Sequence, residues 1–275
     1  MKWMCGFICF CILGIGSDAQ AGAWTQKAGG SYFKLAANHL DSRGDIDGLG
    51  KRIPKTGMGQ LRDFNIAAYL EYGLADRLTL VGAAPYKRLT DYRTFATGIA
   101  QERRSGFGDL ELRLRWLALS RGSLVVSAAV GGKIPLWYGE DVPSRVPLSS
   151  KKMDTDYRLL VGQSLYPFPG YWTGEVGYRV RGGVFSNEAF YTLEGGVSVG
   201  RFLIKGFVAG IQSFGRCAVQ EEVELIGDQN IGKLSPGIIY RVNDRIELSL
   251  DLIHVMWGCN TTTGSTFSIG VAVKH

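Results

Sequence analysis

The sequence predicts an all-β chain folded as a 12-stranded, antiparallel, up-and-down transmembrane β-barrel in the outer membrane of a two-membrane bacterium. Three observations lead there. The chain ends in a strictly alternating segment: Phe267, Ile269, Val271 and Val273 face one way, and Ser268, Gly270, Ala272 and Lys274 the other. It begins with a secretory leader. Between the two, alternating segments are joined by connectors that are short and long in turn. Period-two alternation gives a strand one apolar and one polar or small face, and a secreted chain made of many such strands reads as a barrel with lipid outside and water inside.

The leader comes first. Met1 and Lys2 make a positive start, Trp3 to Ile15 is an apolar run, and Ala19-Gln20-Ala21 has the small-x-small pattern cut by signal peptidase. We therefore expect residues 1–21 to be a cleaved signal peptide and residues 22–275 to be one barrel domain. The apolar run is short of the roughly 20 residues that span a bilayer as a helix. Cys5, Cys9 and Cys11 would leave with it.

Twelve period-two runs follow, at 29–39, 61–73, 77–87, 108–119, 123–134, 155–165, 171–181, 188–199, 203–213, 231–242, 245–256 and 264–275. Leu74–Arg77, Ser120–Gly122, Tyr166–Gly170, Gly200–Phe202 and Asn243–Arg245 are the short connectors. The long ones are 40–60, 88–107, 135–154, 182–187, 214–230 and 257–263. Both chain ends fall on the short-turn side, the periplasmic side of an outer-membrane barrel. The faces are clean in 108–119, where Leu110, Leu112, Leu114 and Trp116 oppose Asp109, Glu111, Arg113 and Arg115. The run 203–213 is ambiguous, because Lys205 shares a face with Phe207 and Ile211.

Alternation alone does not say which face is outside, since a soluble lipid carrier has the same pattern inverted. Size does. Twelve strands close to a backbone diameter of roughly 24 Å, too wide for Leu, Val and Gly to fill at the density of a packed core. The charged face therefore lines water and the apolar face meets lipid. Aromatic residues near the strand ends, Tyr72, Trp116, Tyr171, Trp172 and Tyr240 on the short-turn side and Tyr86, Trp137 and Tyr157 on the other, suit the headgroup zones.

The net charge of +6 is modest, and its basic residues are dispersed. An outer-membrane barrel has no route to nucleic acid, and no aromatic-basic interleaving argues for one. The expected surroundings are outer-membrane lipid and lipopolysaccharide, the barrel assembly machinery, and a small-molecule solute whose identity the residues do not state.

Three segments carry a resemblance. Glu71-Tyr72-Gly73-Leu74-Ala75-Asp76-Arg77-Leu78-Thr79-Leu80, continuing to Ala84-Pro85-Tyr86, is the first. Gly106-Phe107-Gly108-Asp109-Leu110 and Gly132-Lys133-Ile134-Pro135 are the others. They are similar to signatures of the transporter-like outer-membrane barrels labelled meta-pathway phenol degradation proteins, chiefly over residues 60–135. The resemblance implies a channel or transporter-like barrel for a small molecule, with aromatic and hydrophobic compounds among the candidates, and no catalytic signature. The chain departs from common barrel practice in ending on His275 where an aromatic residue usually stands.

An enzymatic barrel would place a His near a Ser for nucleophilic attack. His39 is followed by Leu40, Asp41 and Ser42, His254 has no nearby Ser, and His275 is terminal. Glu221, Glu222, Glu224 and Asp228 cluster on a single loop. Metal-ligand spacing of Cys and His is absent, so no catalytic residue, metal or cofactor is expected. The candidate site is the lumen itself, lined by Lys34, Asp63, Glu71, Glu111, Arg113, Arg115, Lys133, Glu175, Arg179, Arg181, Glu194, Arg241, Glu247 and Asp251. Two readings of these charges stand side by side. They pair across strands and plug the barrel, or they line a narrow polar passage. The alternatives to a channel are a closed barrel presenting surface loops for envelope or biofilm functions, and an outer-membrane hydrolase. Cys217 and Cys259, the two cysteines left after cleavage, are expected to form a disulfide between external loops in an oxidising compartment.

Overall fold

A computed structural model describes residues 22–55, 58–95, 98–136, 148–215, 217 and 228–275. Residues 1–21, the expected leader, Trp137 and the loop acids Glu221, Glu222 and Glu224 lie outside them. The strands in chain order are β1 (Ser31–Ser42), β2 (Gly44–Ile46), β3 (Arg52–Pro54), β4 (Gln60–Ala75), β5 (Leu78–Phe95), β6 (Gly98–Phe107), β7 (Asp109–Arg121) and β8 (Leu124–Pro135). They continue with β9 (Asp154–Ser164), β10 (Gly170–Val180), β11 (Glu188–Val199), β12 (Phe202–Ser213), β13 (Asn230–Arg241), β14 (Ile246–Cys259), β15 (Thr261–Thr262) and β16 (Ser265–Lys274).

Each wall strand pairs antiparallel with the next, and β1 pairs with both β4 and β16, so the sheet closes on itself. The closed wall has twelve strands, with β6 and β7 following one another as a single staggered strand beside β5. Gly108, between them, donates its N–H to the Pro85 carbonyl at 2.8 Å and keeps the two in line. Closure satisfies every edge, the only way a sheet can stand in lipid.

The structure extends strands into three segments that the sequence reads as connectors, 40–60, 88–107 and 257–263. β5 and β6 continue the wall through 88–107, and β2 and β3 form a small sheet with β15 above the mouth. Beyond the lipid zone a strand needs no apolar face, so Arg88, Thr90, Arg103 and Ser105 give no alternation of hydropathy to read. Cys259 likewise belongs to the last residue of β14 rather than to a loop. It is joined to Cys217, their Cα atoms 6.0 Å apart.

The outer face is a continuous apolar band that includes Phe33, Leu35, Phe64, Leu112, Leu114, Val176, Leu193, Ile204, Leu250, Phe267 and Ile269, all exposed. The protein is an outer-membrane β-barrel, and lipid is the solvent of this face. The polar face is inside. Glu71, Arg115, Asp154, Asp156, Glu188 and Glu247 are all buried on it. The ambiguous strand β12 turns Leu203, Lys205, Phe207 and Ile211 inward, and Phe202, Ile204 and Val208 outward. One assignment is corrected. Tyr171 is not a headgroup-zone residue: its ring points into the lumen, 6% exposed, and its hydroxyl donates to Glu194. Tyr171 and Trp172 are neighbours at a strand end, so one of the two must face in.

Candidate functional site

The lumen has three levels. At the short-turn, periplasmic end two apolar clusters face inward: Val125, Ala129 and Leu160 form one, and Tyr171, Leu203 and Ile239 another. Leu, Val and Ala on these walls leave space between them, and the chain fills it with its own N-terminal segment. Ala23 is fully buried in the first cluster, and the Trp24 ring joins both, meeting Tyr171 edge-on with centroids 6.3 Å apart.

Polar bonds hold this plug. Arg115 donates to the Gly22 carbonyl at 2.7 Å, Ser127 donates to the Ala23 carbonyl, and the Gln26 N–H donates to Thr79 Oγ1 at 2.8 Å. Gln26 Nε2 donates to Glu71 at 2.8 Å, and Glu71 in turn lies 2.8 Å from Arg115 and accepts from Tyr69. The Glu71–Arg115 pair is thus the latch: one partner grips the plug backbone and the other a plug side chain. Two glycines make room. A Cβ on Gly73 would lie 1.8 Å from the Lys27 carbonyl oxygen, and one on Gly162 would lie 2.7 Å from the Trp24 ring.

The middle level is ionic. On the β7–β11 wall, Asp156 accepts from Arg158 and stands 3.4 Å from Arg113 and 3.9 Å from Arg179. Arg113 also pairs with Glu111, and Arg158 with Glu175. Glu188 takes Arg179 at 2.6 Å and Arg181 at 3.7 Å, while Asp154 takes Lys133 at 2.9 Å and Arg181 at 3.8 Å. Phe190 lies between Arg158 and Arg179, whose guanidinium carbons are 4.4 and 5.2 Å from its ring centre. On the facing wall, Asp251 lies between Lys34 and Lys205, Lys205 reaches Glu194, and Glu247 binds Lys274 and Arg241. Such pairs replace water for buried charges and hold neighbouring strands in one register.

The third level, toward the outside, has two separate apolar clusters: Leu89 and Leu148 with Leu61, and Ile46, Ile231 and Val255 with Ile211. Leu148 and Ser149 bring the end of the connector before β9 inward, and Ser149 donates to Asp109.

The fourteen sequence-selected residues all sit on the inner face. Thirteen are joined to ion pairs; Asp63 accepts instead from Asn65 at 3.0 Å. Asp156, Arg158, Glu188, Tyr69, Lys205 and Lys274 line the lumen as well, and the same alternation marks most of them. It does not mark the plug, for which no pattern existed: Gly22 to Gly30 alternates with nothing and resembles a linker.

One chemical pair emerges from the fold. His254 Nδ1 lies 2.8 Å from Ser265 Oγ, across the β14–β16 pairing. No carboxylate or amide among the described residues orients the other ring nitrogen, so the pair lacks the third group that makes a His a catalytic base. No group of three metal-ligating side chains occurs among the described residues.

By sequence, the chain matches no family profile and no curated protein. By fold it is similar to several solved barrels. A crystal structure of an outer-membrane channel from Pseudomonas putida F1 has a TM-score of 0.69 at 14% identity, covering 92% of this chain and 98% of that one. The NanC porin has a TM-score of 0.57 at 7% identity, covering 88% of this chain and 100% of its own. The KdgM porin has 0.51 at 6%, with 87% and 98% covered. At these identities the likeness is one of fold.

Proposed function

We propose that the protein is an outer-membrane channel for small solutes whose periplasmic end is closed by its own N-terminal segment. The observation that carries this is the plug. A barrel that served only to display loops could fill its lumen with wall side chains, whereas here the periplasmic walls leave a space that fits Ala23 and Trp24. Gly29 and Gly30 pair with the Gly73 backbone, but residues 22–28 are held by hydrogen bonds and by the packing of Ala23 and Trp24 rather than by strand pairing, so they can leave without opening the barrel. Channel and porin folds of similar size support the reading, and the resemblance over 60–135 supports a small aromatic or hydrophobic cargo.

The ionic ladder on β7–β11 favours a second reading, a barrel closed for structural reasons. One experiment separates the two. Mature protein and a variant lacking residues 22–29 are compared by single-channel recording in planar bilayers. The channel reading expects brief, rare openings of the intact protein and a steady conductance of the deletion. A folded deletion variant that stays silent would leave the closed barrel.

A further inference from the structure

The inward cations of the wall strands fall into two groups. Most of them, from Lys34, Arg93 and Arg104 to Lys205 and Lys274, stand within ion-pair distance of a carboxylate. Among the described residues Lys87 and Lys233 do not, and neither is hydrogen-bonded there. They belong to β5 and β13, which are nearly opposite: β4, β1, β16 and β14 separate them on one side of the ring. Both point inward, since each shares its face with a buried apolar residue two positions away, Leu89 and Ile231 respectively. The Lys87 stem runs over Gly108, where a Cβ would stand 3.1 Å from its Cε. The two lysines therefore project into the lumen from nearly opposite walls.

The surroundings of the two lysines correspond. β5 runs outward and β13 inward, so Leu89 and Ile231 both lie on the extracellular side of their lysine. Each belongs to one of the two apolar clusters of the mouth. On the neighbouring strand β4, Asp63 pairs in register with Leu89, accepts from Asn65 and lies beyond ion-pair distance of Lys87. Two ammonium groups facing each other in a partly dry passage repel, and an anion between them relieves that repulsion and gains two charge-assisted bonds. An apolar body on that anion would meet the leucine and isoleucine lips above.

We propose that Lys87 and Lys233 form a binding site in the extracellular half of the lumen for a small organic anion, a carboxylate with a compact apolar body. The proposal rests on the channel reading and names the class of solute for it. Calorimetric titration of the mature protein, folded in detergent at low ionic strength, tests it with benzoate and its neutral isostere benzamide. Benzoate is expected to bind at least tenfold more tightly than benzamide. The double variant Lys87→Gln/Lys233→Gln is expected to lose at least tenfold in benzoate affinity, and Lys87→Arg/Lys233→Arg to keep it. Lys51→Gln, an exposed loop charge, controls for net charge. Heat-dependent gel mobility shows that each variant is a folded barrel. Equal binding of the two probes, no binding of benzoate, or undiminished binding by the folded glutamine variant overturns the site. A barrel that conducts after plug removal but ignores benzoate keeps the channel and loses the anion site. Benzoate binding by a barrel that never conducts does the reverse.

Discussion

At the periplasmic end of the lumen a stretch of chain outside the sheet lies across the barrel, whereas at the extracellular end the wall and its loops do the narrowing themselves. The periplasmic walls carry small or apolar residues that do not meet, and Ala23 and Trp24 complete them. At the mouth, the small sheet of β2, β3 and β15 and the Cys217–Cys259 disulfide are tied covalently or by strand pairing. Arg52 adds two bonds to the Val255 and Met256 carbonyls, at 3.0 and 2.9 Å. The difference lies in what each closure must do. A plug held by side-chain bonds can exchange between seated and free states at modest cost, while a braced mouth keeps its lining residues at fixed positions.

The largest effect is expected where the plug and the wall share a residue. Arg115→Leu leaves Glu71 buried without its cation, since both side chains are nearly inaccessible. Breaking a buried pair in this way costs about 3–5 kcal/mol. It also removes the donor to Gly22, so urea unfolding in detergent should show the loss and bilayer recordings a rise in open time. An Arg115→Leu barrel as stable and as quiet as the parent would remove the latch from the comparison.

A smaller effect is expected at the braced end. Reducing the disulfide, or Cys217→Ser with Cys259→Ser, opens a loop of 42 residues in separation and costs about 2–4 kcal/mol by loop-closure entropy. The loss should be local, seen as faster proteolysis of external loops with unchanged plug behaviour. If instead the variant conducts like the plug deletion, the two ends are coupled and the contrast fails.

The smallest effect is a matter of fit. Gly162→Ala puts a methyl group against the Trp24 ring, at a cost of about 1 kcal/mol for crowding. The barrel itself should unfold as before, because Gly162 keeps its place in the β8–β9 and β9–β10 pairings. Only the seated fraction of the plug should fall, read as a severalfold rise in open probability.

Much of this was legible in the sequence. Strand number, the inner and outer faces and the cysteine partners follow from period-two alternation, connector length and an even count of cysteines, all of which are local or arithmetic. Phe267 to Lys274 states its two faces without reference to any other residue. The tertiary structure decided the rest. Arg113 meets Asp156 from two strands away, Lys87 and Lys233 stand on nearly opposite walls, Tyr171 rather than Trp172 turns inward, and residues 22–26 enter the barrel. Alternation assigns a side chain to a face. Which charges then touch depends on register and on closure of the ring, which bring together residues that have no fixed spacing along the chain. The plug depends on closure most of all: its site, between walls that begin at Val125, Tyr171 and Leu203, exists only once the twelfth strand has paired with the first.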